Sequence, residues 1–162
     1  MHEAVAATPS EIGDAVAYLR QSAERSWANW HASSSKPKDP FRPDSQNMCG
    51  FTASFVSLAL PDIVGGKWQV AGGWPQNGGG VISPSGETRA HFWSVSKCGL
   101  VVDITGDQFG LPSVIVTTRA DNRYRASFCS EFLKMHLPKV IPVAVKWLEE
   151  LSLTTDRKPT VH

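Results

Sequence analysis

"RAHFWSVSKCGLVVDIT", residues 89–105, decides how the chain folds. His91 to Val95 and Leu100 to Asp103 are aromatic and β-branched runs, and the "SKCG" between them leaves room only for a tight turn. The stretch therefore predicts an antiparallel hairpin. Side chains alternate faces along a strand, and residues opposed across an antiparallel pair share a face. If the turn holds an odd number of residues, for instance Lys97, Cys98 and Gly99, then Ser96 pairs with Leu100 and Trp93 with Asp103. His91 then lies diagonal to Asp103 on one face, within reach of a side-chain hydrogen bond. A turn with an even number puts the two on opposite faces. Hairpin loops of odd length ending in glycine are common. A carboxylate among strand apolars is costly unless paired, so Asp103 needs a partner, and His91 is the natural one.

Outward from the hairpin, "NMCGFTASFVSLAL" (47–60) has helical spacing, with Phe51, Phe55 and Leu58 or Ala59 on a shared face. The spacing predicts a helix from Met48 to Leu60 that Pro61 stops. Upstream, Thr8-Pro9-Ser10-Glu11 reads as a helix start, and Ile12, Val16, Leu19, Ala23, Trp27 and Trp30 give that helix one apolar face. The serine-, proline- and charge-rich "SSSKPKDPFRPDSQN" between the helices reads as an exposed connection. "KWQVAGGW" predicts a short strand, and "GGWPQNGGGVISPSGE" predicts a loop without regular structure. "PSVIVTT" predicts a further strand. Irregular chain is expected after it, then a helix from Val143 to Leu151 starting near Pro142, then a frayed polar tail from about 154 to 162. The whole reads as a single α+β domain over 1–162: N-terminal helices, one bearing Cys49 at its start, packed on one side of an antiparallel sheet.

Cys49 sits where reactivity is easiest to arrange. The thiolate is the nucleophilic form of cysteine, and both a helix N-terminus and a nearby imidazole favour it. Gly50 leaves room for a substrate carbonyl. The Cys49 N–H is one natural oxyanion donor, and the Gln46 or Asn47 side-chain amide is a candidate for the second. In the odd-turn register His91 acts as general acid-base and Asp103 orients it. Asp107 is the substitute orienting acid in another register, and Gln108 beside it helps position the site. The glycine-rich segment 72–80 reads as a mobile rim carrying Trp74 over a cleft, and Trp93 is a candidate to line the same cleft.

A helix-initiating cysteine, a strand histidine and a next-strand aspartate, in "NMCGFTASFVSLAL", "HFWSV" and "VVDITGDQFG", resemble the papain-like and transglutaminase-like cysteine-enzyme superfamily. The resemblance covers roughly residues 45 to 118. It implies a Cys49-His91-Asp103 triad and thiol chemistry on an amide or acyl bond: a protease, amidase, deamidase or acyltransferase, bacterial effectors and toxins among them. It implies no metal or organic cofactor, and a peptide, protein or other amide-containing substrate. Gln46 departs from the pattern, because the oxyanion glutamine of papain-type proteases stands further before the cysteine.

The bulk numbers narrow the alternatives. The 162 residues are 41% hydrophobic and 19% charged, which describes a globular domain with a real core. A net charge of +1 gives no field that would draw nucleic acid or acidic lipid. No apolar stretch approaches a membrane span, and the N-terminal residues lack the form of a secretory signal, so a cytoplasmic setting is expected. Three irregularly spaced cysteines do not make a disulfide framework, and Cys98 and Cys129 read as incidental. A zinc site drawn from Cys49, Cys98, Cys129 and His91 lacks paired ligands at metal-binding spacing. Arg119, Arg123 and Arg125 around Tyr124 read as a solvated face. The rival of a different class is a catalytically silent module of the same fold, docking a protein partner through its tryptophan- and glycine-rich face.

Overall fold

The computed structural model describes residues 8–155. Helix α1 spans Pro9–Ser33 and α2 spans Cys49–Val64; then come β1 (Trp68–Gly73), β2 (Gly80–Ile82), β3 (Thr88–Arg89), β4 (His91–Ser96), β5 (Leu100–Asp103), β6 (Ile115–Thr118) and β7 (Tyr124–Arg125), and α3 spans Ser130–Thr155. The α+β class is as expected. The frayed tail falls outside the described residues except for its first positions, which are the end of α3.

Two antiparallel sheets form, one in the order β1-β4-β5-β6 and a smaller one in the order β3-β2-β7. Alternation along β5 shows what each face of the larger sheet buries. Leu100 and Val102 point into a core with Phe55, Val56 and Leu60 of α2, Leu19 of α1 and Trp147 of α3. Val101 points the other way, to Trp93, Val95, Ile115 and, from the small sheet, Val81 and Tyr124. The helices therefore pack on one side of the larger sheet, and the small sheet covers the other.

Local chemistry explains the elements that position the site. The Glu11 carboxylate accepts the Thr8 backbone N–H at 2.5 Å, capping α1 beside Pro9. Ile12, Val16, Leu19, Ala23 and Trp27 are buried as the periodicity predicts, whereas Trp30 is partly exposed and leans on Phe51, with ring centroids 4.9 Å apart. The Trp27 indole donates to Thr52 Oγ1 at 3.0 Å, tying α1 to α2. Ser94 Oγ donates to the Ala53 carbonyl at 2.9 Å and accepts from Ser57 Oγ at 2.9 Å, tying α2 to β4. The helix that begins with Cys49 is thus fixed against the strand that begins with His91.

Three expectations fail, each for a physical reason. Pro61 does not stop α2, which continues to Val64. Proline in a last turn costs one backbone hydrogen bond, and the Pro61 carbonyl still receives the Gly65 N–H at 3.1 Å. The last helix starts at Ser130, well before Pro142, and contains both Pro138 and Pro142. These prolines stand one turn apart on the exposed side, so the carbonyls they leave unpaired can be hydrated, while Val140, Ala144, Trp147 and Leu151 are buried on the opposite side. The glycine-rich segment is built into regular structure: Gly72 and Gly73 end β1, Pro75–Asn77 form a short 3₁₀ turn, and Gly80 opens β2. A Cβ at Gly73 would lie 2.5 Å from the Gly80 nitrogen and 2.6 Å from the Arg125 carbonyl oxygen, so side chains would drive the two sheets apart.

Candidate active site

The β4–β5 hairpin has the odd register. Ser94 pairs with Val102 and Val95 with Val101, so Lys97, Cys98 and Gly99 form the turn, with Gly99 at φ 90°. His91 and Asp103 share a face, and His91 Nε2 donates to Asp103 Oδ2 at 2.9 Å. Both side chains are almost wholly buried. Asp103 is held by more than the histidine. The Tyr124 hydroxyl donates to the same oxygen at 2.9 Å. The other oxygen accepts the Thr105 N–H at 2.9 Å and the Thr105 hydroxyl at 3.2 Å.

Cys49 is the first residue of α2, a helix without a side-chain cap and without an acidic residue in its first turn. Its N–H groups there are oriented towards whatever anion approaches the thiol. With Nε2 committed to Asp103, Nδ1 is the ring nitrogen left for the sulfur. Nδ1 is buried and has no partner in hydrogen-bond geometry, while the Cys49 sulfur interacts with the ring. The contact is looser than a formed hydrogen bond. Burial pushes the His91 pKa down, but the charge of Asp103, its hydrogen bond and the Cys49 sulfur more than reverse this, raising it to about 10. Burial likewise disfavours charge on Asp103, yet His91, Thr105 and Tyr124 hold its pKa below the ordinary value. Both shifts favour imidazolium against carboxylate, with the Cys49 sulfur among the groups that act on the ring.

The remaining predicted site residues divide. Gln46 and Asn47 reach the surface just before Cys49, in a cleft of about 370 Å³ that Gln108 and Phe109 also line. Phe109 meets the His91 ring edge-on, with centroids 5.0 Å apart, so the Phe109 wall of this cleft backs onto the buried His91–Asp103 pair. Gln108 joins its two walls. Its carbonyl oxygen accepts the Asn47 N–H at 3.4 Å, and its amide donates to the Thr105 carbonyl at 3.0 Å. Asn47 is the one non-glycine residue with positive φ (62°) among the described residues. Gly50 faces α3 rather than a cleft: a Cβ there would lie 3.2 Å from His136 Nε2, so its smallness admits the helix. Trp74 lines a second cleft of about 610 Å³ next to Ala90 and Arg89, and packs against Phe128 and Phe132. Trp93 lines neither of these two clefts. It is 3% exposed and packs on Tyr124, because its position in β4 points it between the two sheets.

Asp107 is not available to orient His91. Its carboxylate takes Arg20 Nη1 at 3.0 Å and Nη2 at 2.9 Å, and Ser45 Oγ at 2.6 Å. Arg20 also donates to the Ile104 carbonyl at 2.7 Å. This network ties α1 and the turn after Asp103 to the loop before Cys49.

Sequence reasoning missed Tyr124, Thr105, Arg20 and Ser45. Thr105 carried a signal, since an Asp followed two residues later by Thr is the pattern of a side-chain-to-backbone turn. Tyr124 carried none, as the arginines beside it suggested only a solvated face. Among the described residues no three His, Cys, Asp or Glu side chains converge as a metal site requires, so the zinc grouping does not assemble. No helix among them is long and apolar enough to cross a membrane. Compared with protein-family models, curated proteins and solved structures, the chain matches none.

Proposed function

We propose that the protein is a thiol hydrolase or acyltransferase with a papain-like or transglutaminase-like core, acting on an amide, thioester or related acyl bond. The observation that carries this reading is the buried His91–Asp103 pair, whose one uncommitted ring nitrogen faces the thiol at the uncapped start of α2.

The Cys49 sulfur, its proton held by His91, attacks the acyl carbon. The C=O electron pair moves onto oxygen, where the Cys49 N–H and the amides of Gln46 or Asn47 receive it. The tetrahedral adduct collapses as the C–N or C–S bond breaks, and the imidazolium gives its proton to the leaving group. Water or another nucleophile, deprotonated by the now neutral His91, then attacks the thioester. The acid or new acyl product departs and Cys49 regains its thiolate. Asp103 stays ionised throughout and holds the ring.

The test compares iodoacetamide alkylation at the three cysteines by peptide mass spectrometry, across pH 5 to 9, in wild type and His91→Ala. Cys98 and Cys129 are exposed while Cys49 is half-buried, so accessibility alone favours the former two. The expected result is that Cys49 reacts fastest at low pH and loses that advantage without His91. A Cys49 slower than both others in both proteins would overturn the enzyme reading and leave a binding module.

A further inference from the structure

The cleft whose Phe109 wall backs onto His91 is polar in character. It is walled by three segments: the loop before Cys49, the turn after Asp103, and the β2–β3 hairpin. The loop contributes Arg42, Gln46 and Asn47, and the hairpin contributes Ser83, Ser85 and Arg89. The charged groups on its walls are Arg42, Arg89 and Glu87, with Asp39 behind Arg42. Glu87 is spoken for, its carboxylate accepting Arg89 Nη2 at 2.9 Å. Arg42 is much less engaged, its nearest carboxylate oxygen lying 3.9 Å away on Asp39. Gln108 spends its amide on Thr105 and its oxygen on Asn47. Ser83 and Ser85 share a hydroxyl–hydroxyl bond at 2.9 Å, which uses one of their two protons. What remains on offer is chiefly donors: the Arg42 guanidinium, one serine hydroxyl and the side-chain amides of Gln46 and Asn47, on a lining with two arginines against one glutamate. The cleft on the far side of Arg89 differs. Trp74, Pro75 and Ala90 give it an apolar surface.

Resting on the thiol reading above, we infer that the polar cleft is the acyl-group subsite and selects acyl chains that carry a carboxylate. A carboxylate accepts from several donors at once and matches a planar guanidinium edge to edge, which an uncharged chain cannot do. The cleft is lined by Asn47, two residues before Cys49 in the chain, and by Phe109, which touches the His91 ring, so an acyl chain seated in it lies beside the proposed nucleophile with its carboxylate towards Arg42.

The experiment uses two thiophenyl esters of equal chain length, pentanoyl and 4-carboxybutanoyl, with the full chain in wild-type, Cys49→Ala and Arg42→Gln forms. Attack by Cys49 expels thiophenolate and forms the acyl-enzyme; water then releases the free acid, and thiophenol release is followed by absorbance. Wild type is expected to favour the 4-carboxybutanoyl ester in kcat/KM by about tenfold or more, the scale of one charge-assisted hydrogen bond. Arg42→Gln is expected to shrink that ratio towards one, chiefly through KM. If wild type and Arg42→Gln turn over both esters with equal kcat/KM and Cys49→Ala turns over neither, the carboxylate subsite is wrong while the thiol reading stands. If wild type releases thiophenol no faster than Cys49→Ala from either ester, both fall.

Discussion

Asp103 and Asp107 stand a turn apart in the chain and are both drawn into the protein, yet they meet different fates. Asp107 is held by Arg20 and Ser45, and Arg20 spends its other donors on Glu24 and the Ile104 carbonyl. Asp103 is held too, but one of its partners is a histidine with a nitrogen left over. An arginine ends the network, because it has no proton to trade at neutral pH. A histidine passes the carboxylate's influence on to whatever lies at its other nitrogen, and here that is the Cys49 sulfur. On the proposed function the first network is a clamp and the second a relay. The comparison predicts that their disruption will divide cleanly between stability and chemistry.

Cys49→Ala is expected to have the largest effect, abolishing thiophenol release and acyl-enzyme formation detected by intact-mass spectrometry. Next comes Asp103→Asn. A carboxamide cannot hold the imidazolium, and replacing the orienting carboxylate of a triad by its amide costs about 10⁴-fold in kcat. The matching change in the other network, Asp107→Asn, keeps two acceptor lone pairs but loses the charge opposite Arg20. Because both side chains retain some exposure, 12% for Arg20 and 19% for Asp107, the cost should be about 1–3 kcal/mol of stability. Its kcat is expected within about tenfold of wild type. Chemical denaturation and ester turnover measured on both variants decide the matter: a kcat loss for Asp107→Asn as large as that for Asp103→Asn would erase the distinction.

The relay also has a pH signature. The folded pKa of His91, about 10, lies above its ordinary 6.5, so its contribution to stability is complete below pH 6.5 and is lost as pH rises through about 10. Asp103 is depressed below its ordinary 3.8, so its contribution is present above that value and disappears as acid carries the pH through the lowered one. Thermal melting is therefore expected to weaken on the alkaline side in wild type, and that loss should be smaller in His91→Gln. An identical alkaline decline in both proteins would mean that the buried ring is neutral at rest.

How far this was legible in the sequence follows from which residues carry periodic information. The His91–Asp103 pair could be read because strand parity and a short turn ending in Gly99 tie the two positions together. The Cys49 helix start could be read because an apolar run begins there abruptly. Arg20 could not, since one basic residue on an amphipathic helix looks the same whether it faces water or a carboxylate in a distant turn. The small sheet was hidden because its strands are two or three residues long and one opens on a glycine, so alternation has no room to show. The first half of α3 was hidden by two prolines, whose position on the exposed side only the fold reveals.

Tyr124 belongs to that hidden sheet, and it separates relay from clamp most finely. Its hydroxyl shares Asp103 Oδ2 with His91 Nε2, so it competes for the same lone pairs that hold the ring. Burial raises its own pKa, as do the neighbouring carboxylate and their hydrogen bond, so it stays a donor throughout the working range. Tyr124→Phe removes that donor with little change of shape. Thr105 still gives Asp103 two hydrogen bonds and His91 a third, so the carboxylate remains ionised. The expected cost is about 1.5 kcal/mol in stability, from one lost hydrogen bond to a charged group. With Asp103 less restrained, the ring should orient less well, lowering kcat a few-fold while KM holds. A kcat loss approaching that of Asp103→Asn would place the tyrosine in the chemistry itself. No loss at all would mean that Thr105 and His91 fix the carboxylate without it.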